Sequence, residues 1–174
     1  MAEDVRWRDY EELICAQLRR RAEGSARIEF DRRVLGRLSG YARQVDIMVI
    51  GRFPGLVRDA ATMAVDCKLW SRKIGIDDVD RFVGFLSDVG TDLGLLVTNV
   101  GFSEAARARA ASERGLKIDV VRPTAIELAF RTHCEHCRQL RIMHERRLVA
   151  AASGELTARG WCAVCESVLY GDVE

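Results

Sequence analysis

The stretch "AATMAVDCKLW", Ala60–Trp70, decides how the chain is read. From Ala60 to Val65 it is almost wholly apolar, and then an acid and a lysine stand two residues apart. Side chains on a strand alternate between faces, so Asp66 and Lys68 share one side while Val65, Cys67 and Leu69 take the other. A polar pair on one face of an otherwise apolar strand needs a common reason.

The flanking sequence supplies a partner strand. "QVDIMVIG", Gln44–Gly51, alternates as a strand, with Val45, Ile47 and Val49 on one face and Asp46, Met48 and Ile50 on the other. Turn chemistry in "RFPGLVRD", residues 52–59, separates the two runs, which predicts an antiparallel hairpin with Asp46 beside Asp66 on the non-core side. Two carboxylates converging from adjacent strands can hold a hard cation such as Mg²⁺ through oxygen, with waters and a substrate phosphate completing the shell. An ammonium two residues along suits phosphodiester hydrolysis, where it positions the nucleophile and steadies developing charge. Spacing alone also fits a solvated strand face carrying a salt bridge, and that reading stays open.

Further out, Asp9 and Glu12 read as an N-cap and its capping-box acid, with Tyr10, Leu13, Ile14 and Leu18 as the apolar stripe of a helix ending near Gly24. Residues 27–43 read as short extended pieces around "RIEF" and "RVLGRL", with a turn at Ser39 and Gly40. Beyond Trp70 come a helix, "IDDVDRFVGFLSDVG", a continuously apolar strand, "DLGLLVTNVG", and a helix, "SEAARARAASERG", capped by Ser103 and stopped by Gly115. A strand, "LKIDVVRP", and a short helix, "AIELAF", capped by Thr124 and Glu127, follow. The order predicts an α/β core with a mixed sheet flanked by helices.

At 174 residues the chain affords one buried core and a small appendage. No apolar run reaches membrane-spanning length, and "MAEDVRWRDYEEL" is charged from its first residues, so the expectation is a soluble, cytoplasmic protein with no membrane partner. A net charge of +1 excludes a dominant basic field. Arginine makes up 24 of the 27 basic residues, a bias that codon usage accounts for, leaving only Lys68, Lys73 and Lys117. A lysine kept beside Asp66 is the more informative for it.

Six cysteines fall as two lone residues, Cys15 and Cys67, and two Cys-x-x-Cys pairs, Cys134/Cys137 and Cys162/Cys165, separated by 24 residues. Such pairs read as metal ligands in a reducing compartment sooner than as disulfides, and four thiolates make a closed tetrahedral zinc site. A redox dithiol and an iron–sulfur cluster are the alternatives. The spacer "LRIMHERRLVAAASGELTARG" reads as a hairpin or a helix, with His133, His136 and His144 as outer residues. The change of character places a boundary at Arg131, giving a domain over residues 1–130 and a zinc-ribbon-like module over 131–174. Residues 131–174 hold six arginines and six acids, so a strong electrostatic grip on DNA does not follow, and protein contact or dimerisation stays open.

"RQVDIMVIG", "VDCKLWSRKIGIDDVDRFVGFL" and "LGLLVTNVGFSEAARARA" together resemble, in order and phrasing, the catalytic domain of Mrr-like restriction endonucleases within the PD-(D/E)xK nuclease superfamily. The likeness covers roughly residues 9 to 130. It implies a restriction-endonuclease-like fold, with Asp46 as the metal-binding aspartate, Asp66 as the second acid and Lys68 as the catalytic lysine. Many relatives carry Glu-Cys-Lys where this chain has Asp-Cys-Lys, a shorter acid bearing on metal geometry. The resemblance gives Glu11 the role of the first-helix acid in support of the metal, against the reading that Glu11 and Glu12 merely complement a helix N-terminus. Gln44 matches the phrasing before the strand and is a candidate for substrate contact, as are Arg72 and Lys73 in the loop after it. Solvated charges account equally for that loop. Cys67 is expected in the core, its carbonyl between the two ligand positions.

The expected function is therefore a Mg²⁺- or Mn²⁺-dependent DNA endonuclease with structural Zn²⁺, acting in restriction or phage defence as a homodimer or within a larger complex. The alternative is a non-catalytic nucleic-acid-binding or assembly module on the same fold, or a nuclease for junctions, single strands or RNA.

Overall fold

The computed structural model describes residues 2–22, 25–53, 56, 60–123, 131–150 and 156–172. The elements are α1 (Ala2–Ala22), β1 (Ala26–Leu35), β2 (Ala42–Gly51), β3 (Ala61–Lys68), α2 (Ile76–Val89), β4 (Leu93–Thr98), α3 (Glu104–Ser112), β5 (Leu116–Val120), β6 (Arg131–Cys134), β7 (Gln139–Ala150), β8 (Leu156–Cys162) and β9 (Val168–Asp172). They fall into two compact units, residues 18–122 in one and residues 1–17 with 123–174 in the other.

In the 18–122 unit, a five-stranded sheet runs β1-β2-β3-β4-β5. The expected hairpin is present: β2 and β3 are antiparallel, with Ile47 opposite Val65 and Gly51 opposite Ala61. β3, β4 and β5 are parallel. Parallel neighbours need crossover connections, and α2 and α3 supply them. Val79 and Phe82 of α2, Ala106 and Ala110 of α3, and Leu96 and Leu116 of the sheet form one buried cluster. The α2 register follows its apolar spacing, and Ser103 caps α3 by accepting the Ala106 N–H at 3.2 Å.

Three expectations are corrected. The sheet has no solvated face at its centre, because Met48 and Ala64 are as buried as Ile47 and Val65. Both sides of a sheet with crossover helices are covered, so polar residues collect at a strand end and not along a face. Residues 26–35 form one ten-residue strand, where short pieces were expected, paired along β2 from Ala26–Gly51 to Leu35–Ala42. Pairing with a buried neighbour overrides its weak apolar pattern. Asp9 is not an N-cap, since α1 starts at Ala2 and Asp9 and Glu12 lie within it. For the same reason Glu11 and Glu12 are too far along the helix to complement its N-terminus.

In the other unit, the sheet β6-β7-β8-β9 is antiparallel throughout. Of the two alternatives for the cysteine spacer, the hairpin of β7 and β8 is present. Glu12 of α1 explains itself here, pairing with Arg141 at 2.6 Å and accepting the Ile142 N–H at 2.9 Å, while Asp9 pairs with Arg131 at 3.1 Å. Ala16, Ile142 and Ala163 pack together. The "AIELAF" helix with its Thr124–Glu127 cap, Gly24 and most of "RFPGLVRD" lie outside the described residues. Among the described residues no helix is long and apolar enough to cross a membrane.

Candidate active site and cysteine centre

Carrying the β2–β3 register one pair beyond Ile47–Val65 sets Asp46 opposite Asp66 at the strand end. Asp46 Oδ2 accepts the backbone N–H of Cys67 at 2.8 Å, so the strand that carries Asp66 and Lys68 itself orients the Asp46 carboxylate. Lys68 Nζ lies 2.8 Å from Asp66 Oδ1. Cys67, between them, is fully buried, as alternation requires.

Burial pushes the Asp46 carboxyl up to about 7, helped by the charge of Asp66 and opposed by the Cys67 N–H and by Lys68. The like charge of Asp66, opposite it on β3, disfavours the charged form of Asp46. A half-buried carboxyl facing a second acid is a place that a hard divalent cation fits, since the cation would offset the repulsion between the two.

The segment after β3 is clamped. Asn99 accepts the Trp70 N–H at 2.9 Å and returns its amide to the Trp70 carbonyl at 3.0 Å. Ile74 bridges to Phe102 through backbone bonds to Gly101 and Ser103, both of 2.9 Å. Trp70 then serves as a platform, with Lys68 Nζ 5.6 Å and the Arg72 guanidinium 4.2 Å from its ring centroid. Arg72 also binds Asp78 at 2.8 Å, and that contact, with the Gly75 N–H, holds the Asp78 carboxyl below the usual carboxylate range. Asp78 stands three residues into α2, so Arg72 is tied to that helix while its side chain stays largely exposed. Lys73 is exposed beside it. Gln44 is exposed and donates to Asp31 at 2.7 Å. Glu11 belongs to the other unit, buried on α1.

The structure thus joins Asp46, Asp66 and Lys68 directly. The roles of Trp70, Asp78 and Asn99 escape sequence reading. Only the Thr-Asn phrase at the end of β4 hinted at Asn99, because its partner is 29 residues away.

The second centre is made of thiols. The Sγ atoms of Cys134, Cys137, Cys162 and Cys165 all lie within 4.8 Å of one another. Cys134–Cys165 at 3.5 Å and Cys137–Cys162 at 3.9 Å are too long for disulfides, and they match the edge of about 3.8 Å that a tetrahedron with 2.3 Å Zn–S bonds requires. The two pairs are built alike. Arg138 donates its N–H to the Cys134 carbonyl at 2.7 Å with φ 55°, and Glu166 to the Cys162 carbonyl at 3.0 Å with φ 62°. Each turn folds back so that both thiols point one way. Burial raises the Cys165 thiol, but contacts with Ser167, Cys134 and Cys137 together outweigh it and bring the thiol down to about 6, whereas burial raises Cys162. Four thiols at this spacing are compatible with a zinc ribbon, and among the described residues no histidine joins the cluster.

Comparison with known proteins bears on the family. Among curated proteins no sequence matches. Three solved structures share 18–20% identity with this chain. One is a protein of unknown function (TM-score 0.49, 19% identity, 62% of this chain and 56% of that one). The DNA modification-dependent restriction endonuclease AspBHI follows (TM-score 0.46, 18%, 64% of this chain and 28% of that one). The third is the MspJI restriction endonuclease in complex with a 27-mer oligonucleotide (TM-score 0.43, 20%, 64% and 25%). This chain therefore spans little more than half of the first and about a quarter of the others. The catalytic-domain model of the Mrr type, described as restriction endonuclease, matches residues 2–127, most of the chain and every strand of the first sheet. The protein belongs to the restriction endonuclease family defined by that Mrr catalytic domain.

Proposed function

We propose that the protein is a divalent-metal-dependent DNA endonuclease that hydrolyses phosphodiester bonds at Asp46, Asp66 and Lys68. The observation that carries this reading is the register that sets Asp46 opposite Asp66 at one strand end, with an ammonium 2.8 Å from Asp66. Asp46 and Asp66 would hold Mg²⁺ or Mn²⁺, which when bound polarises the phosphate and lowers the pKa of a water. Asp66 keeps the Lys68 ammonium in place, and Lys68 donates to the attacking water or a phosphate oxygen as charge develops. Glu11 is assigned to support of the metal site and Gln44, Arg72 and Lys73 to the DNA backbone, with Arg72 held ready by Trp70 and Asp78.

Cys134, Cys137, Cys162 and Cys165 bind one Zn²⁺ with a structural role, because four thiolates leave no open position. By function, residues 1–130 are the nuclease domain and 131–174 the zinc module. With a net charge of +1, a second copy or a larger defence complex supplies part of the grip on DNA. The test is cleavage of supercoiled plasmid, with and without modified bases, by purified protein in Mg²⁺ or Mn²⁺. Cutting that needs the metal and falls by about a hundredfold or more in Lys68→Ala and Asp66→Ala supports the reading. Metal-independent cutting, or cutting that survives both substitutions, overturns it.

A further inference from the structure

The turn between β1 and β2 is held by a carboxylate from the last turn of α2. Asp88 Oδ1 accepts the N–H groups of Leu38 at 3.1 Å and Ser39 at 2.8 Å, and Oδ2 accepts the Ser39 hydroxyl at 2.8 Å. Arg37 adds its N–H to the Asp88 carbonyl at 2.8 Å and its Nε to the Ser87 carbonyl at 3.1 Å. Gly36 makes the approach possible, since a Cβ there would stand 2.6 Å from both Asp88 carboxylate oxygens. An acid at a helix C-terminus opposes the helix dipole, so these bonds offset an unfavourable placement. The turn has a fixed shape.

That fixed turn presents apolar side chains to water. Leu35, Leu38 and Tyr41 are 72%, 74% and 75% exposed, the most exposed large apolar residues among those described. A rigid loop that carries its apolar residues outward marks a contact surface. Its position says which. β2 leaves the turn at Ala42 and reaches Asp46 four residues on, about 13 Å of strand. Arg33 pairs with Gln44, two residues short of Asp46, and directly opposed residues of an antiparallel pair present their side chains on the same side. The Arg33 side chain is exposed and makes no hydrogen bond or ion pair with any described residue. Of the four arginines in residues 31–43, Arg32 pairs with Glu29, Arg43 with Asp88 at 3.4 Å and Arg37 braces the turn, which leaves the Arg33 guanidinium to meet an outside anion.

We propose that the β1–β2 hairpin end is a DNA-contacting arm, in which Arg33 binds a backbone phosphate while Leu38 and Tyr41 lie against sugars and bases in the groove beside the cut. The proposal rests on the nuclease reading above. Arginine supplies the phosphate contact, and apolar side chains of this kind enter duplex grooves.

The test is fluorescence anisotropy of a short labelled duplex, titrated at several salt concentrations with the 174-residue Lys68→Ala protein to prevent cutting. Arg33→Gln and Leu38→Ser/Tyr41→Ser are then added to that background and, separately, to the wild type. The expected result is binding about tenfold weaker for each, with the slope of log K against log salt reduced by about 1 for Arg33→Gln alone. In the wild-type background KM rises while kcat stays within about twofold, and melting temperatures are unchanged. Unchanged affinity and salt slope, in a protein that still binds and cuts DNA, overturn the arm and leave the nuclease standing. Conversion of a dimer to a monomer at unchanged DNA affinity assigns the surface to a second copy and also overturns it. A parent protein that neither binds nor cuts DNA removes the nuclease reading and the arm together.

Discussion

At the scale of single residues, carboxylates with unlike surroundings do unlike work. Asp46 is pushed up by burial and by Asp66, whereas Asp88 is held below the usual range by the Ser39 N–H and hydroxyl, and Asp78 by Arg72. Depressed carboxyls contribute stability that is fully present above the unfolded value of 3.8 and is lost as pH falls through the folded value. The melting temperature should therefore drop as pH is lowered from about 4 toward 2, and Asp88→Asn should flatten that drop while lowering stability at neutral pH. Thermal melts over this range check it. A parallel drop in wild type and variant would mean that the Asp88 contacts do not contribute. Asp66 and Lys68 were legible because their spacing breaks an apolar strand. The Asp88 and Asn99 contacts were not, because they join residues 49 and 29 positions apart and leave no local pattern.

At the scale of elements, long periodic segments read correctly and long-range polar contacts did not. α2, β4 and α3 follow from apolar spacing and the Ser103 cap. Asp9 and Glu12 imitate a capping box because the same residue types that cap helices also form ion pairs, and theirs lie on β6 and β7. Glu12→Ala should cost about 1–3 kcal/mol in chemical denaturation, since Arg141 and the Ile142 N–H lose their acceptor in a buried place. β1 was only half visible, as a strand rich in arginine takes its form from its partner. The close approach of α2 to β4 is a second test. A Cβ at Gly94 would stand 2.2 Å from Leu86 Cδ1, so Gly94→Ala should destabilise the protein by about 1–3 kcal/mol, which the shift in denaturation midpoint measures.

Across the whole molecule, the cysteine centre was the most legible part, because two Cys-x-x-Cys turns carry their geometry locally. Less legible was the company it keeps: residues 1–17 form a unit with 123–174, through contacts such as Glu12–Arg141 that span 129 residues. Removal of the proposed zinc by a chelator should accordingly raise amide hydrogen exchange in residues 7–17 together with 131–172, ahead of residues 60–120. Exchange confined to the cysteine turns would contradict that division. On the nuclease reading proposed above, a net charge of +1 leaves DNA affinity to placed groups and not to a general field.

On the proposed mechanism, Asp46 and Asp66 hold a divalent cation that Lys68 serves. The most direct measurement is Mn²⁺ binding to the purified full chain, followed by electron paramagnetic resonance in wild type, Asp46→Asn, Asp66→Asn and Lys68→Ala, with plasmid cleavage on the same samples. The account predicts that either carboxylate substitution abolishes the bound signal and the cutting, while Lys68→Ala keeps the signal and loses the cutting. Undiminished Mn²⁺ binding in the carboxylate variants, or cutting that persists in Lys68→Ala, would contradict it.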